Sequence, residues 1–190
     1  MKKRRIIAAG AAGLIGGLAA SAVMNIFQRR ISKMLGGEER SHGAQSRQIG
    51  TPDHGAGAYL TKIGADSPAD DAAERTANIV SVGVSGHQLT DAEKDTGGTI
   101  FHYVFGATSG LAYGLASEFL PIARSGWGLP FGAVVWIVAD ETIVPALGLS
   151  KHARKYSSAT IAYALAAHLV YGLITEGSMK LLHPATNGKR

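Results

Sequence analysis

The sequence predicts an all-α protein, an integral membrane helical bundle of four transmembrane helices with a long polar connector between the first and second. Three observations lead to this prediction. Four apolar segments are each long enough to cross a hydrocarbon core of about 30 Å, which takes about 20 helical residues. Charged residues are only 17% of the chain, whereas glycine is abundant at 25 residues. Lysine and arginine concentrate beside the apolar segments, as in membrane proteins. A soluble alanine-rich bundle is the alternative, because the segments are only moderately hydrophobic.

The composition limits the classes of function. The chain has no cysteine, which excludes disulfides, cysteine-ligated metals and a thiol nucleophile. Its net charge is +5, but the cations lie at segment edges rather than on one helix face among aromatics, so no nucleic-acid partner is expected. The chain contains no phosphate loop and no dinucleotide fingerprint. Ser109 could pair with His102 or His168, but no G-x-S-x-G elbow surrounds the serine, so these pairs are weak candidates for a hydrolase site. We therefore expect no enzyme, catalytic residue, cofactor or metal.

The first segment, residues 6–27, reads IIAAGAAGLIGGLAASAVMNIF and follows a basic start, KKRR. It predicts an N-terminal transmembrane helix within residues 1–27. The basic start and ASA at 20–22 also fit a cleavable signal peptide. Glycine and alanine dominate over leucine, and no polar break precedes Met24, so a retained helix is favoured.

A polar connector follows over residues 28–98. Its first half, 36–60, is rich in glycine and polar turn formers and predicts no regular structure. Ser67-Pro68 with the next acids predicts the start of an amphipathic helix over about 68–84. Its apolar side is formed by Ala72, Thr76, Ile79, Val80, Gly83 and Val84. Thr90 and Glu93 have capping-box spacing, so a short helix is expected to lead into the second span.

The remaining apolar segments predict a three-helix transmembrane part over residues 99–183. The helices are expected at about 99–120, 127–149 and 158–182. Pro121 ends the first of them and His183-Pro184 the last, because proline cannot continue a helix. Residues 184–190 form a short tail.

Small residues recur every four positions and form what we call small-residue rows. Rows at this spacing share a helix face and let two backbones approach closely. The residues predicted to pack helices in this way are Gly13, Gly17, Gly106, Gly110, Gly114, Gly132 and Gly172. The rows also lead to ionisable residues, which are therefore expected inside the bundle.

The third segment places Asp140 and Glu141 near its middle. A charge at the bilayer centre costs about 2.5–3.5 kcal/mol. Each carboxyl group should therefore be neutral, paired with another group or located in a water-filled cavity. Pro145 removes the hydrogen bond that the Glu141 carbonyl would accept and is expected to kink the helix.

These side chains predict a buried polar cluster, and three roles are open for it. It could relay or sense protons, because burial shifts carboxyl and imidazole pKa values. It could merely latch the helices, or hold a metal, although no Glu-x-x-His repeat supports that. Tyr163, Tyr171 and Tyr103 are candidate hydroxyl donors. The expected members of the cluster are Asp140, Glu141, His168, His102, Glu118 and Glu176.

Five further stretches are informative: MNIFQ (24–28), EERSHGAQSRQ (38–48), HYVFGATSGLAYG (102–114), LPFGAVVWIVADETIVPALGLS (129–150) and YALAAHLVYGLITE (163–176). Together they resemble the YagU-type family of small bacterial inner-membrane proteins, which carry a domain of unknown function. The resemblance implies a multispanning inner-membrane protein with a retained first helix, and brings no catalytic residues. The loop KHARKYSS is more basic than the family pattern.

The functional prediction is a non-enzymatic membrane protein that handles protons or a solute, or acts as an accessory component, in envelope or acid stress. The alternative is a structural scaffold whose polar cluster only latches helices and whose connector binds a partner. A lipid bilayer and further copies of the chain are the expected partners. The first helix usually sets orientation, so both termini are expected in the cytoplasm and the connector outside.

Overall fold

A computed structural model describes residues 2–34 and 50–183, and this part of the chain contains helices and no strand. The all-α prediction is confirmed. Seven α-helices occur: α1 Lys2–Met34, α2 Gly55–Lys62, α3 Ala72–Ser85, α4 Asp91–Phe119, α5 Leu129–Val138, α6 Val144–Ala146 and α7 Ser158–Leu182. A 3-10 segment, Pro121–Gly128, precedes α5, and a π-helical turn, Ala139–Ile143, joins α5 to α6.

Helices α1, α4, α5 and α7 form an antiparallel bundle. Helix α1 packs against both α4 and α7, and α5 packs against α7. A buried apolar cluster fills the centre, and it consists of Ala20, Met24, Ala164, Ala167 and Tyr171. The chain therefore runs up and down through the bundle. Helix α4 packs against the side of α1 that carries Gly13 and Gly17, and α7 packs beside Gly16.

Three helical segments, rather than the four predicted, are long and apolar enough to cross a membrane among the described residues. They are Lys3–Ile31, Ile122–Ala146 and Ser158–Leu182. The second predicted span lies in α4, which begins at charged Asp91 and carries His102 and Glu118 along with many small residues. Polar and small side chains lower its mean hydropathy, so composition alone does not qualify α4 as a span.

The connector is more ordered than the sequence suggests. Helix α2 lies where no regular structure was predicted. Its first amides bond to the chain beyond α6, with Ala56 N–H donating to the Leu147 carbonyl at 2.9 Å and Gly57 N–H to the Gly148 carbonyl at 2.8 Å. These tertiary bonds, invisible in the local composition, fix α2. Residues 35–49, which include the whole EERSHGAQSRQ stretch, and the 184–190 tail lie outside the described residues.

Helix α3 begins four residues later than predicted. Asp71 caps it, accepting from the amides of Ala73 and Glu74, and the reciprocal Glu74 contact completes a capping box. Only the start of the predicted apolar side is buried, because Ala72 is 1% exposed whereas Val80 and Val84 are 57% and 84% exposed. Instead, α3 buries polar groups, including Arg75 and Asn78.

The capping box at Thr90 and Glu93 is confirmed. It starts α4 at Asp91, so the expected short helix and the second apolar segment form one continuous helix. The last predicted helix, 158–182, coincides with α7.

Candidate functional site

The two carboxylates of the third apolar segment lie in the π-helical turn. The amide of Val144 bonds back to the Ala139 carbonyl, five residues earlier, and the Thr142 hydroxyl donates to the Ile137 carbonyl at 2.8 Å. Pro145 lacks an amide hydrogen, so a regular α-helical ladder cannot pass through it. The chain accommodates this by widening one turn, a feature that frequently occurs at functional sites.

The π-helical turn separates the two carboxylates. Asp140 is only 3% exposed and lines a cavity inside the bundle. Glu141 is half-buried and does not line that cavity. The two adjacent acids therefore face different surroundings, as their rotation of about 100° around a helix suggests.

His168 is the partner that the bundle brings to Asp140. Its Nδ1 lies 3.8 Å from the Asp140 Oδ2, and both side chains are buried, at 7% and 2% exposure. The same Nδ1 lies 2.9 Å from the Ala164 carbonyl oxygen. A carbonyl only accepts, so Nδ1 carries a proton that it donates to Ala164. The pair is thus close enough for charges to interact but is not directly hydrogen-bonded.

The cavity beside this pair has a volume of about 290 Å³. His102, the second predicted partner, lines it too, and so does Tyr171, whose hydroxyl donates to the Gly106 carbonyl at 2.6 Å. Tyr163 does not line it and donates to the Gln28 carbonyl at 3.1 Å. The wall combines residues of α1, α3, α4 and α7 with the segment from α5 to just beyond α6. Its apolar part includes Met24, Phe101, Phe105, Val135, Ile143, Val144, Leu147 and Leu149.

The connector supplies one wall of the cavity through Asp71, Ala72, Ala73 and Thr76. Arg75 holds this wall in place, because its fully buried guanidinium donates to Asp66 at 2.7 Å and to the Leu149 carbonyl at 3.1 Å. Lys94 adds a second buried ion pair, with its Nζ 2.8 Å from the Asp70 Oδ2. The sequence pattern did not predict the ion pairs of Arg75 and Lys94. Their only sequence signal is the alternation of acids and bases in a polar segment.

The other predicted members of the cluster lie elsewhere. Glu176 is fully buried and accepts from the Tyr113 hydroxyl at 2.8 Å and from the Arg124 Nε at 3.2 Å. Its distance along α7 from His168 is eight residues, about 12 Å at 1.5 Å per residue. Glu176 therefore joins α7 to α4 and to the 3-10 segment, away from the cavity.

Glu118 forms a third, separate group near one end of the bundle. Its two carboxylate oxygens meet the Arg5 Nε at 2.7 Å and the His183 Nε2 at 3.0 Å. The group ties the start of α1, the end of α4 and the end of α7 together. The predicted single cluster is thus divided into the Asp140–His168 pair with His102, the Glu176 group and the Glu118 group, while Glu141 stays apart.

The small-residue rows face each other between helices. A Cβ built at Gly13 would collide with the Gly110 carbonyl oxygen, and one at Gly114 with the Ala9 carbonyl oxygen. The same holds for Gly17 against Gly106, Gly106 against the Ser21 hydroxyl, Gly132 against the His168 carbonyl and Gly172 against the Gly128 carbonyl. All seven predicted packing glycines thus stand at close helix contacts.

Beyond the π-helical turn, His54 of the connector contacts Pro145. Its Nε2 lies 2.8 Å from the Pro145 carbonyl oxygen and its Nδ1 2.9 Å from the Asp53 Oδ1. Both partners only accept, so the ring donates from both nitrogens as an imidazolium. Accordingly, the pKa of His54 is raised, first by the Asp53 bond and then by the Pro145 carbonyl. The same contact, with Lys155, lowers the pKa of Asp53 to about 2.

No group of three histidine, aspartate or glutamate side chains stands close enough to hold a metal ion within residues 2–34 and 50–183. The metal interpretation of Asp140, Glu141, His168 and Glu118 therefore has no geometric support in this part of the chain. What the arrangement offers is a buried acid and imidazole on the wall of a largely apolar cavity, which suits binding or proton exchange.

Comparison with curated proteins and with solved structures gave no match. Residues 75–176 match a family described as a protein of unknown function, DUF1440. The matched region begins at the buried Arg75, includes Asp140 and His168, and ends at Glu176. It is more than half of the 190 residues, so the chain belongs to the DUF1440 family.

Proposed function

We propose that this protein is a non-enzymatic membrane protein that handles protons or a small solute at the cavity beside Asp140 and His168. The observation that carries the proposal is the pair itself, an acid and an imidazole 3.8 Å apart and almost fully buried. Buried ionisable groups in membrane segments are costly, and such groups mark ion, substrate or proton pathways. An uptake or loss of one proton at this pair would change the charge inside the cavity.

The proposal includes placement of the whole bundle in a membrane. Three segments have the required length and hydropathy. Helix α4 lies beside α1 with the row Gly106, Gly110 and Gly114 facing Gly17, Gly13 and Ala9. We propose that α4 crosses the membrane with the other three, since its glycine face is covered by α1. Its lipid-facing side would carry exposed Ile100 and Val104.

The resemblance to YagU-type proteins supports the bacterial inner membrane as the location. The Glu118 group places the start of α1 and the end of α7 at the same end of the bundle. This supports termini on one side, and Arg5, Arg124 and Lys180 near that end support the cytoplasmic side. Labelling of single cysteines at each end, in a chain that has none of its own, would test the orientation.

The proposal also includes a role in envelope or acid stress. It further includes self-association of the chain. Acid stress fits a buried site that exchanges protons. Exposed apolar side chains on the bundle, such as Ile15 and Val134 at 51% and 55% exposure, would contact lipid or a further copy of the chain. Cross-linking in native membranes tests self-association, and survival of a deletion strain at low pH tests the stress role.

Proteoliposome flux tests the function directly. Wild type should show proton or ion flux above that of empty vesicles, and Asp140→Asn should reduce it to background, because the amide cannot exchange a proton. Asp95→Asn, an exposed acid on α4, is the matched control and should behave as wild type. Equal, background-level flux in wild type and Asp140→Asn would remove the transport proposal.

The scaffold alternative is favoured by the Glu176 and Glu118 groups, which join helices and lie outside the cavity. If Asp140 also serves only as a latch, Asp140→Leu should keep or raise thermal stability in detergent while the cellular function survives. In that case deletion of the connector, rather than the Asp140 substitution, should abolish function.

A further inference from the structure

Among the described residues, the cavity is lined by no lysine or arginine. Its carboxyl and imidazole lining residues are Asp71, Asp140, His102 and His168. Asp71 uses one oxygen to cap α3, accepting from two amides at 2.9 and 3.1 Å, where the helix N-terminus offsets part of its charge. Asp140 lies with its Oδ2 3.8 Å from the His168 Nδ1. A wall with two carboxyl groups and no lysine or arginine favours a cationic ligand over an anionic one.

The polar groups on the wall also favour a ligand that donates hydrogen bonds. Because His168 donates from Nδ1 to Ala164, its other ring nitrogen is an acceptor in the neutral ring. An ammonium group inside the cavity could donate to the Asp140 carboxylate and to this ring nitrogen.

Aromatic rings provide the remaining recognition. Phe101, Phe105 and Tyr171 line the cavity, and the two phenylalanine rings stack with centroids 6.2 Å apart. Ring faces attract cations and pack against apolar bodies. The volume of about 290 Å³ is at the low end of small-molecule sites, which limits the ligand to a small body.

The mouth of the cavity is apolar. Among its lining residues, Phe101, Ile143 and Leu147 are 38%, 47% and 54% exposed, whereas Tyr171 and Asp140 at 3% lie deep. A ligand entering here would pass an apolar rim before it meets the carboxylate. This arrangement suits a molecule with an apolar body and one charged group.

From these features we propose that the cavity binds a small organic monocation, a primary or secondary ammonium on a compact apolar body. The inference deepens the proposed function and depends on it only for the identity of the solute. The ammonium lies against Asp140, with His168 as a further acceptor, and the apolar body lies among Phe101, Phe105 and Tyr171.

Three probes of one shape test the inference: cyclohexylamine, cyclohexanol and cyclohexanecarboxylate. Equilibrium dialysis against the full chain in detergent, with empty micelles as the blank, measures binding at neutral pH. The amine should bind saturably, the alcohol at least tenfold more weakly, and the carboxylate not at all. Stronger binding of the alcohol or the carboxylate, or no saturable amine binding, would overturn the inference.

Variants then locate the site. Asp140→Asn should weaken amine binding at least tenfold, about 1.4 kcal/mol, and leave alcohol binding unchanged, whereas Asp95→Asn should bind all three probes as wild type does. If Asp140→Asn fails to fold, Ile143→Trp, changed only at the exposed mouth, should weaken amine binding severalfold. Unchanged amine affinity in the folded variant would refute the assignment.

The binding experiment and the flux experiment test the two proposals separately. Amine binding without proton or ion flux would remove the proposed transport and keep this inference. Flux that depends on Asp140, without amine binding, would keep the proposed function and remove the organic cation as its solute.

Discussion

At the scale of single residues, Glu176 is the clearest structural latch. It is fully buried between the Tyr113 hydroxyl and the Arg124 guanidinium. Glu176→Leu should lower the free energy of unfolding by about 3 kcal/mol, because it leaves the Arg124 charge without its partner. The double variant Arg124→Met/Glu176→Leu should recover most of the loss. Thermal unfolding in detergent followed by circular dichroism measures both, and equal losses in the single and double variants would contradict the latch.

His54 gives a prediction about pH. Its raised pKa means that its contact stabilises the fold fully below pH 6.5 and loses that contribution as pH rises through the raised value. For Asp53, with its pKa lowered from 3.8 to about 2, the contribution is present above 3.8 and disappears as pH falls through about 2. The difference in melting temperature between wild type and His54→Ala should therefore be largest between pH 3.8 and pH 6.5.

The measurement compares the two proteins at about pH 5 and about pH 9, on either side of a histidine titration. Lys62→Ala, an exposed change on the neighbouring α2, is the control and should show no such pH dependence. A His54→Ala difference that grows toward alkaline pH would contradict the imidazolium contact.

At the scale of elements, the packing of α1 against α4 depends on the absence of side chains. A Cβ at Gly110 would meet the Gly13 carbonyl and the Gly17 backbone. Gly110→Ala should therefore destabilise the bundle by about 1–3 kcal/mol through overpacking. On α7, a Cβ at Gly177 meets nothing within 4 Å, so Gly177→Ala should be neutral or stabilising by up to about 1 kcal/mol. Similar melting temperatures for the two variants would contradict this packing.

How much of these elements the sequence predicts depends on how local their causes are. The rows of Gly13, Gly17, Gly110 and Gly114 and the bounds of α7 follow from local spacing and proline positions. The division of the acidic cluster also has a local signal, since Glu176 stands two helical turns beyond His168. In contrast, the pairing of Glu118 with Arg5 and the docking of α2 depend on which helix ends meet, which no local pattern encodes.

The π-helical turn is only partly predictable from local sequence. Pro145 predicts an interrupted helix beside Asp140 and Glu141, and the structure contains one. Pro145 alone does not indicate whether the chain bends, breaks or widens. The widened turn places Asp140 on the cavity wall, so the candidate site could be anticipated as a residue pair but not as a cavity.

At the scale of the whole molecule, the connector and the bundle build one site. Asp71 and its neighbours at the start of α3 form one wall of the cavity, and Asp140 and His168 form another. Arg75 fixes the first wall by its contacts with Asp66 and Leu149. We propose that the enclosed space is an accessible, acid-lined binding site rather than a packing defect.

The chain contains no cysteine, so one introduced thiol can report on this space. Ala139 lines the cavity and is only 6% exposed. The most direct measurement is the rate at which Ala139→Cys in membrane vesicles reacts with a trimethylammonium-bearing and a sulfonate-bearing methanethiosulfonate of similar size. We predict faster reaction with the cationic reagent, slowed by cyclohexylamine and by Asp140→Asn. An unreactive thiol, or equal rates with both reagents, would contradict the account.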